Sequence, residues 1–346
     1  LPPAGSLLLF IPNTGREALP VPSVPKNMNP VQSSSPVNVS RDEDNALMID
    51  FCDLELDGEI TKDLNTYYAA DKVFRYYGFT NGNPWNTSVQ FKTNTIDRDT
   101  FGINTGFTAT YHFTVRGKVD AASMKAVVER TGMWKISVNG SEVNPEPGKW
   151  WLDRSLSVFS IGSIVRNGEN TITLKASPMK IHAEIEPVYI LGDFSVKPAD
   201  KGFTIEAAAS GYTLGSWKDQ GLSFYSWGIT YSKEYNVEKA DGKWEVGLGD
   251  WRGTIAQVIV NGQPATVIAF PPYKTDVSGL IKPGINKIEV KVIGSLKNLL
   301  GPHHNDPNPG FVSPESWRGV KSYPAGREYQ MMEYGLMEEF NLNYGK

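Results

Sequence analysis

From residue 107 to 115, apolar and polar side chains alternate. Phe107, Ala109, Tyr111, Phe113 and Val115 fall on one side, and Thr108, Thr110, His112 and Thr114 on the other. Period-two alternation with one apolar face predicts an antiparallel strand buried on one side. The same alternation runs through Trp251–Val260 and ends at Asn261-Gly262, a hairpin-turn dipeptide. After it come Gly284-Ile285-Asn286 and a second alternating run to Val292. An earlier stretch has the same order: Met133–Val138, Asn139-Gly140, then Gly168-Glu169-Asn170 and Thr171–Leu174. The two sets lie about 120 residues apart, matching Tyr111 to Tyr231, Asn139 to Asn261, Asp153 to Asp276 and Asn170 to Asn286. The chain therefore reads as a repeat.

Around this frame the other elements fall into place. Residues 46–57 read as a strand, 63–77 as a helix capped by Asp63 and stopped by Gly78, and 88–92 as a short strand. Tyr67, Ala70, Phe74 and Tyr77 make the helix's packing face. Strands are expected at 126–129, 134–138, 161–165, 171–176, 184–194, 203–207 and 228–237, with 329–336 closing the second unit. The prolines and serines of 12–44 read as an extended linker, and 5–11 as the last strand of a preceding domain. The chain is thus expected to be all-β: two tandem jelly-roll (galactose-binding-like) β-sandwiches with one short helix and an N-terminal extended segment. The expected division is 1–44 (terminal strand plus linker), 45–198 (first sandwich) and 199–346 (second sandwich). No βαβ rhythm, GxGxxG or phosphate loop occurs.

Composition narrows the function. A net charge of -4 gives no reason to expect nucleic acid or an anionic membrane as partner. No apolar run is long enough to span a bilayer, and the 7–11 run lacks the length and basic flank of a signal peptide. The single cysteine, Cys52, excludes an intrachain disulfide and reads as a buried, inert thiol. The 9 Trp, 15 Tyr and 15 Phe suit a sheet-rich core and leave rings for ligand contact.

A Tyr-bearing strand, Val-Asn-Gly, a loop with proline, aromatics and Asp, and then Gly-x-Asn before a strand resemble the sugar-binding-type jelly rolls of family 2 glycoside hydrolases. Asn45–Cys52, Asn83-Pro84-Trp85 and Val89–Lys92 resemble the C-terminal region of large bacterial glycosidases of the α-L-rhamnosidase-like and family-2-like type. In such enzymes the catalytic carboxylates project from a (β/α)8 barrel. No barrel is legible here, so no catalytic residue carries over. The resemblance implies a non-catalytic, carbohydrate-associated region that supports an upstream catalytic domain of the same polypeptide or binds glycan weakly. It also implies a bacterial protein that is secreted, periplasmic or at the cell surface. Two alternatives stay open: a hydrolase with its site between the sandwiches, and a purely structural interaction module. No cofactor is expected, and a structural calcium is not indicated.

The candidate glycan contacts are Trp150, Trp151, Asp153, Trp251, His303 and His304. Indole faces pack on sugar C–H groups, while carboxylates and imidazoles take hydroxyls. The blander reading makes the tryptophans core plugs or edge covers, as with Trp134, Trp217 and Trp227. His303-His304, with Asn305 and Asp306, also suggests a metal site, but adjacent residues in extended chain point opposite ways and a third ligand is not evident. Glu184 and Glu186 share a face and form a possible carboxylate pair, with an interface or solvated face as the plainer reading; Asp53, Glu55 and Asp57 share another and suggest a cation site or an acid/base pair, with a solvated strand face as the plainer reading. Asn139-Gly140-Ser141 matches a glycosylation sequon, yet Asn-Gly is also ordinary hairpin chemistry.

Overall fold

The computed structural model describes residues 27–305 and 312–346. The strand expected at 5–11, part of the linker, and Asp306 lie outside the described residues. The chain is all-β, with two buried hydrophobic clusters.

In the first cluster, Phe107–Val115 is the central strand of one sheet. Its predicted apolar face is buried throughout. It pairs with Gly168–Ala176 on one side and with Phe51–Leu56 on the other. Lys135–Val138 and Ser141–Glu142 extend the first side. The facing sheet runs Trp150–Trp151, Asp153–Ser160, Lys125–Glu129, Val188–Gly192, Asn45–Ile49. Tyr111, Val128, Phe159, Ile172 and Ile190 fill the space between the sheets and are almost wholly removed from water. Each of the valine, isoleucine and phenylalanine side chains contributes about 1.5–3 kcal/mol through burial.

The second cluster repeats this pairing scheme. Gly228–Val237 pairs with Gly284–Ile293, which pairs with Ile255–Val260 and through it with Gln263–Ile268. The facing sheet runs Asn29–Val31, Asn341–Gly345, Lys243–Gly247, Lys274–Asp276. Register corrects one sequence match. Asn170 lies opposite Phe113, and Asn286 opposite Tyr235. Tyr111 therefore corresponds to Lys233, and Tyr231 to Ala109.

The two asparagine sets are superposable bond for bond. Asn139 donates to Asn170 Oδ1 at 2.8 Å, and Asn261 to Asn286 Oδ1 at 2.9 Å. Asn170 donates to the carbonyls of Arg166 and Gly168, and Asn286 to those of Lys282 and Gly284. Asn139 and Asn261 are left-handed, at φ 50 and φ 53. Asparagine tolerates that region, and its amide here also fastens the turn to the next strand.

Several elements differ from expectation. Asn29–Val31 and Asn38–Arg41 fall in the stretch read as linker, yet each adds an edge strand to the second unit. Pro30 is admissible there because an edge strand can spare a ladder donor. Phe203–Ala207, C-terminal to residue 198, joins the first unit's sheet in parallel with Phe107–Val115. The helix is Thr66–Tyr76, capped by Asn65 rather than Asp63, because Glu59–Asn65 forms a hairpin with Phe51–Leu56. Residues 88–92 and 161–165 are not strands, whereas Asp153–Ser160, not expected from the sequence, is one and pairs with Lys125–Glu129. The second unit closes with Asn341–Gly345; within 329–336 only Gly335–Leu336 is a strand.

Candidate functional site

A cavity of about 360 Å³ opens beside the first core. Its walls come from chain breaks rather than strand centres. Asp50 sits where the strand run pauses between Asn45–Ile49 and Phe51–Leu56. Asn65, Thr66 and Tyr67 start the helix, and Asn83 caps the short turn that carries Trp85. Arg130 follows Lys125–Glu129 in a left-handed conformation. Glu184 and Glu186 lead into Val188–Gly192. The opposite rim is His303 and His304 with Trp317, from the long loop after Gly284–Ile293. Leu299 and Tyr329 pack into the first core, so this loop of the second half closes the site on the first.

The polar groups are arranged in layers. Asp50 is buried and fully engaged: His304 Nε2 lies 2.9 Å from one carboxylate oxygen, and Tyr329 donates to the other at 2.7 Å. His303 Nε2 is 2.9 Å from the Asn298 carbonyl. A carbonyl only accepts, so Nε2 carries the proton. Burial lowers the His303 pKa to about 4, and the ring is therefore neutral near pH 7.

Glu184 accepts from Asn83 Nδ2 at 2.6 Å and faces Arg130 Nη1 at 3.7 Å. Arg130 also reaches Glu129 at 3.2 Å. Burial raises the pKa of Glu184, against the opposing pull of Asn83 and Arg130. Glu186 is raised well above the carboxylate range, first by burial and then by Glu184 and Glu129. Both causes favour the protonated form, whose hydroxyl donates. Tyr111 Oη donates to the Glu186 carbonyl at 2.6 Å and fixes this wall. Both indoles are tied through N–H: Trp85 to the Ile181 carbonyl at 2.8 Å, Trp317 to the Leu300 carbonyl at 2.6 Å.

Of the predicted glycan contacts, the structure brings only His303 and His304 to this cavity. Trp150 is 54% exposed. Trp151 is half-buried, stacked on Trp227 at 5.7 Å and tilted against Tyr189. Both border a separate, open groove. Asp153 is spent on a turn, accepting from Ser155 N and Oγ at 2.7 Å. Trp251 packs edge-on to Tyr273 in the second unit. Among the described residues no group of three or more His, Cys, Asp or Glu side chains is placed to hold a metal. Asp50, Asn83, Trp85, Arg130 and Trp317 were not singled out as site residues from the sequence. The one available signal was Asn83-Pro84-Trp85, a capped turn that presents an indole. Cys52 is buried, and burial pushes its thiol up, consistent with inertness.

No family model matches the chain. A curated relative, a putative beta-glucuronidase from Formosa agariphila, is 31% identical over 122 residues, 33% of this chain and 10% of its own length. The chain resembles part of a glycoside hydrolase. It spans about a tenth of the length of that relative. Solved structures with partial likeness include a rhamnosidase from Novosphingobium sp. PP1Y, with 18% identity, TM-score 0.27, and 69% of this chain against 22% of that one. A β-glucuronidase from Ruminococcus gnavus shows 11% identity, TM-score 0.28, and coverage of 74% and 40%. Among the described residues no helix is long and apolar enough to cross a membrane.

Proposed function

We propose that this chain is a non-catalytic, carbohydrate-binding β-sandwich region of a glycoside hydrolase. Its cavity grips one sugar unit of a glycan, while a catalytic domain elsewhere in the polypeptide performs hydrolysis. The observation that carries this reading is the composition of the cavity: two indoles with their N–H groups already used, beside an amide, carboxyls and imidazoles. That mixture of carbon surface and hydroxyl partners is what a sugar ring requires.

The same geometry argues against hydrolysis at this site. Glycosidases flank the scissile bond with two carboxyls, about 5–9.5 Å apart across the sugar. Glu184 and Glu186 enter from one segment and one wall. Asp50, the other carboxylate lining the cavity, has both oxygens engaged by His304 and Tyr329. A role in polysaccharide degradation, outside the cytoplasm or at the cell surface, accords with this reading.

The test is turnover of a panel of aryl-glycosides, including aryl-glucuronides, by the 346-residue chain. No release above the uncatalysed rate is expected. Release abolished by Glu184→Gln or Glu186→Gln would instead make the chain a hydrolase.

A further inference from the structure

We propose that the cavity is a subsite for an uncharged sugar ring and that it turns away uronates. This rests on the glycan-binding reading above and adds the class of sugar. A sugar carboxylate needs a cation that is not already committed. Among the described residues, the charged and titratable groups lining the cavity are Asp50, Tyr67, Arg130, Glu184, Glu186, His303 and His304. Arg130 is the only lysine or arginine among the described residues lining it, and its guanidinium lies between Glu129 at 3.2 Å and Glu184 at 3.7 Å.

The imidazoles do not supply the missing charge. His304 faces Asp50 at 2.9 Å, and any positive charge it carries is matched there. His303 donates to a carbonyl and is held neutral by burial. Glu315, Arg318 and Asp71 act on Tyr67, and Lys297 acts on His303 with its ammonium engaged by the Pro302 and Gln330 carbonyls. Arg130 is shared between Glu129 and Glu184, so an added anion there meets the repulsion of two carboxylates as well as desolvation.

A neutral sugar meets the reverse situation. The Glu186 carboxyl makes no hydrogen bond within the described residues, and in its acid form it offers a donor. Glu184, two residues away on the same wall, offers an acceptor. A sugar hydroxyl is both donor and acceptor and satisfies either group. The Trp85 and Trp317 rings supply the carbon surface for its C–H face.

The test is calorimetric titration of the 346-residue chain at pH 7 with the methyl glycosides of glucose, galactose and mannose. Each is compared with its uronic-acid counterpart. At least one neutral glycoside should bind, and its uronate should bind about tenfold or more weakly. Glu184→Gln keeps an acceptor for Asn83 but frees Arg130, so it should narrow that preference at least about fivefold, with the thermal midpoint recorded to confirm folding. A uronate that binds the unaltered chain as tightly as its neutral partner overturns the proposal and leaves the glycan-binding reading standing. An unchanged preference in a folded Glu184→Gln chain overturns the charge argument. Failure of every saccharide to bind overturns both readings.

Discussion

Tyr111 and Lys233 hold equivalent places in the two sandwiches and do the same job with different chemistry. Tyr111 donates across the core to the carbonyl of Glu186 at 2.6 Å, just before Val188–Gly192. Lys233 donates to the carbonyl of Phe340 at 3.2 Å, just before Asn341–Gly345, and also pairs with Glu339 at 2.7 Å. Each ties the central strand to the segment that enters the closing strand of the facing sheet. In the first unit that tie also fixes one wall of the cavity.

Tyr111→Phe should therefore act twice. It leaves a buried carbonyl without its donor and should cost about 1–3 kcal/mol of stability, read by chemical denaturation. It should also weaken sugar binding, because Glu186 loses its anchor. Loss of stability with unchanged affinity would mean the Glu186 wall is held by something else.

Stability should bend with pH at both ends, through different groups. His303 is depressed from 6.5 to about 4 in the folded chain. Its contribution is present above pH 6.5 and is lost as pH falls through about 4, to a limit of about 3 kcal/mol. Glu186 is raised in the folded chain. Its contribution is present below the ordinary carboxylate value and is lost as pH rises through the folded value. Denaturation at a series of pH values should show His303→Gln flattening the fall in stability toward acid, and Glu186→Gln flattening the fall as pH rises above the ordinary carboxylate value. Parallel curves for all three chains would contradict both assignments.

We further propose that residues 29–41 fold with 228–293 and 334–345, while 45–207 forms the other unit, with Leu299 and Tyr329 packed into it. Removing 27–41 takes the edge strands from both sheets of the second unit, opening its core around Tyr231 and Leu342. Hydrogen exchange should accelerate along Gly228–Val237 and Asn341–Gly345 and stay unchanged along Phe107–Val115. Equal acceleration in both units, or none, would contradict this division.

How much of this was legible follows from how local each signal is. Alternation marked Phe107–Val115 and Gly228–Val237 because each strand's own side chains record a buried face. Asn139 and Asn261 were legible as turns because the left-handed region selects asparagine and glycine. Asn29–Val31 and Asn38–Arg41 were not: edge strands tolerate proline and polar residues, so their composition matches that of a linker. The 88–92 run alternates, yet it finds no partner strand and curls into turns. The cavity was the least legible part. Asp50 and His304 touch across 254 positions of sequence, and no local pattern records that contact. Trp150-Trp151 drew notice by being adjacent, while the indoles that line the cavity, Trp85 and Trp317, sit in unrelated short turns.

The most direct measurement is titration of the chain and three variants with the tightest-binding neutral methyl glycoside. Asn83→Ala removes the Glu184 partner and the cap of the Trp85 turn, and Trp317→Ala removes an indole from the rim. Trp150→Ala trims an exposed ring outside the cavity. Saturable binding should weaken about tenfold or more in Asn83→Ala and Trp317→Ala and stay unchanged in Trp150→Ala. Binding that survives both cavity variants and disappears with Trp150→Ala would contradict this expectation.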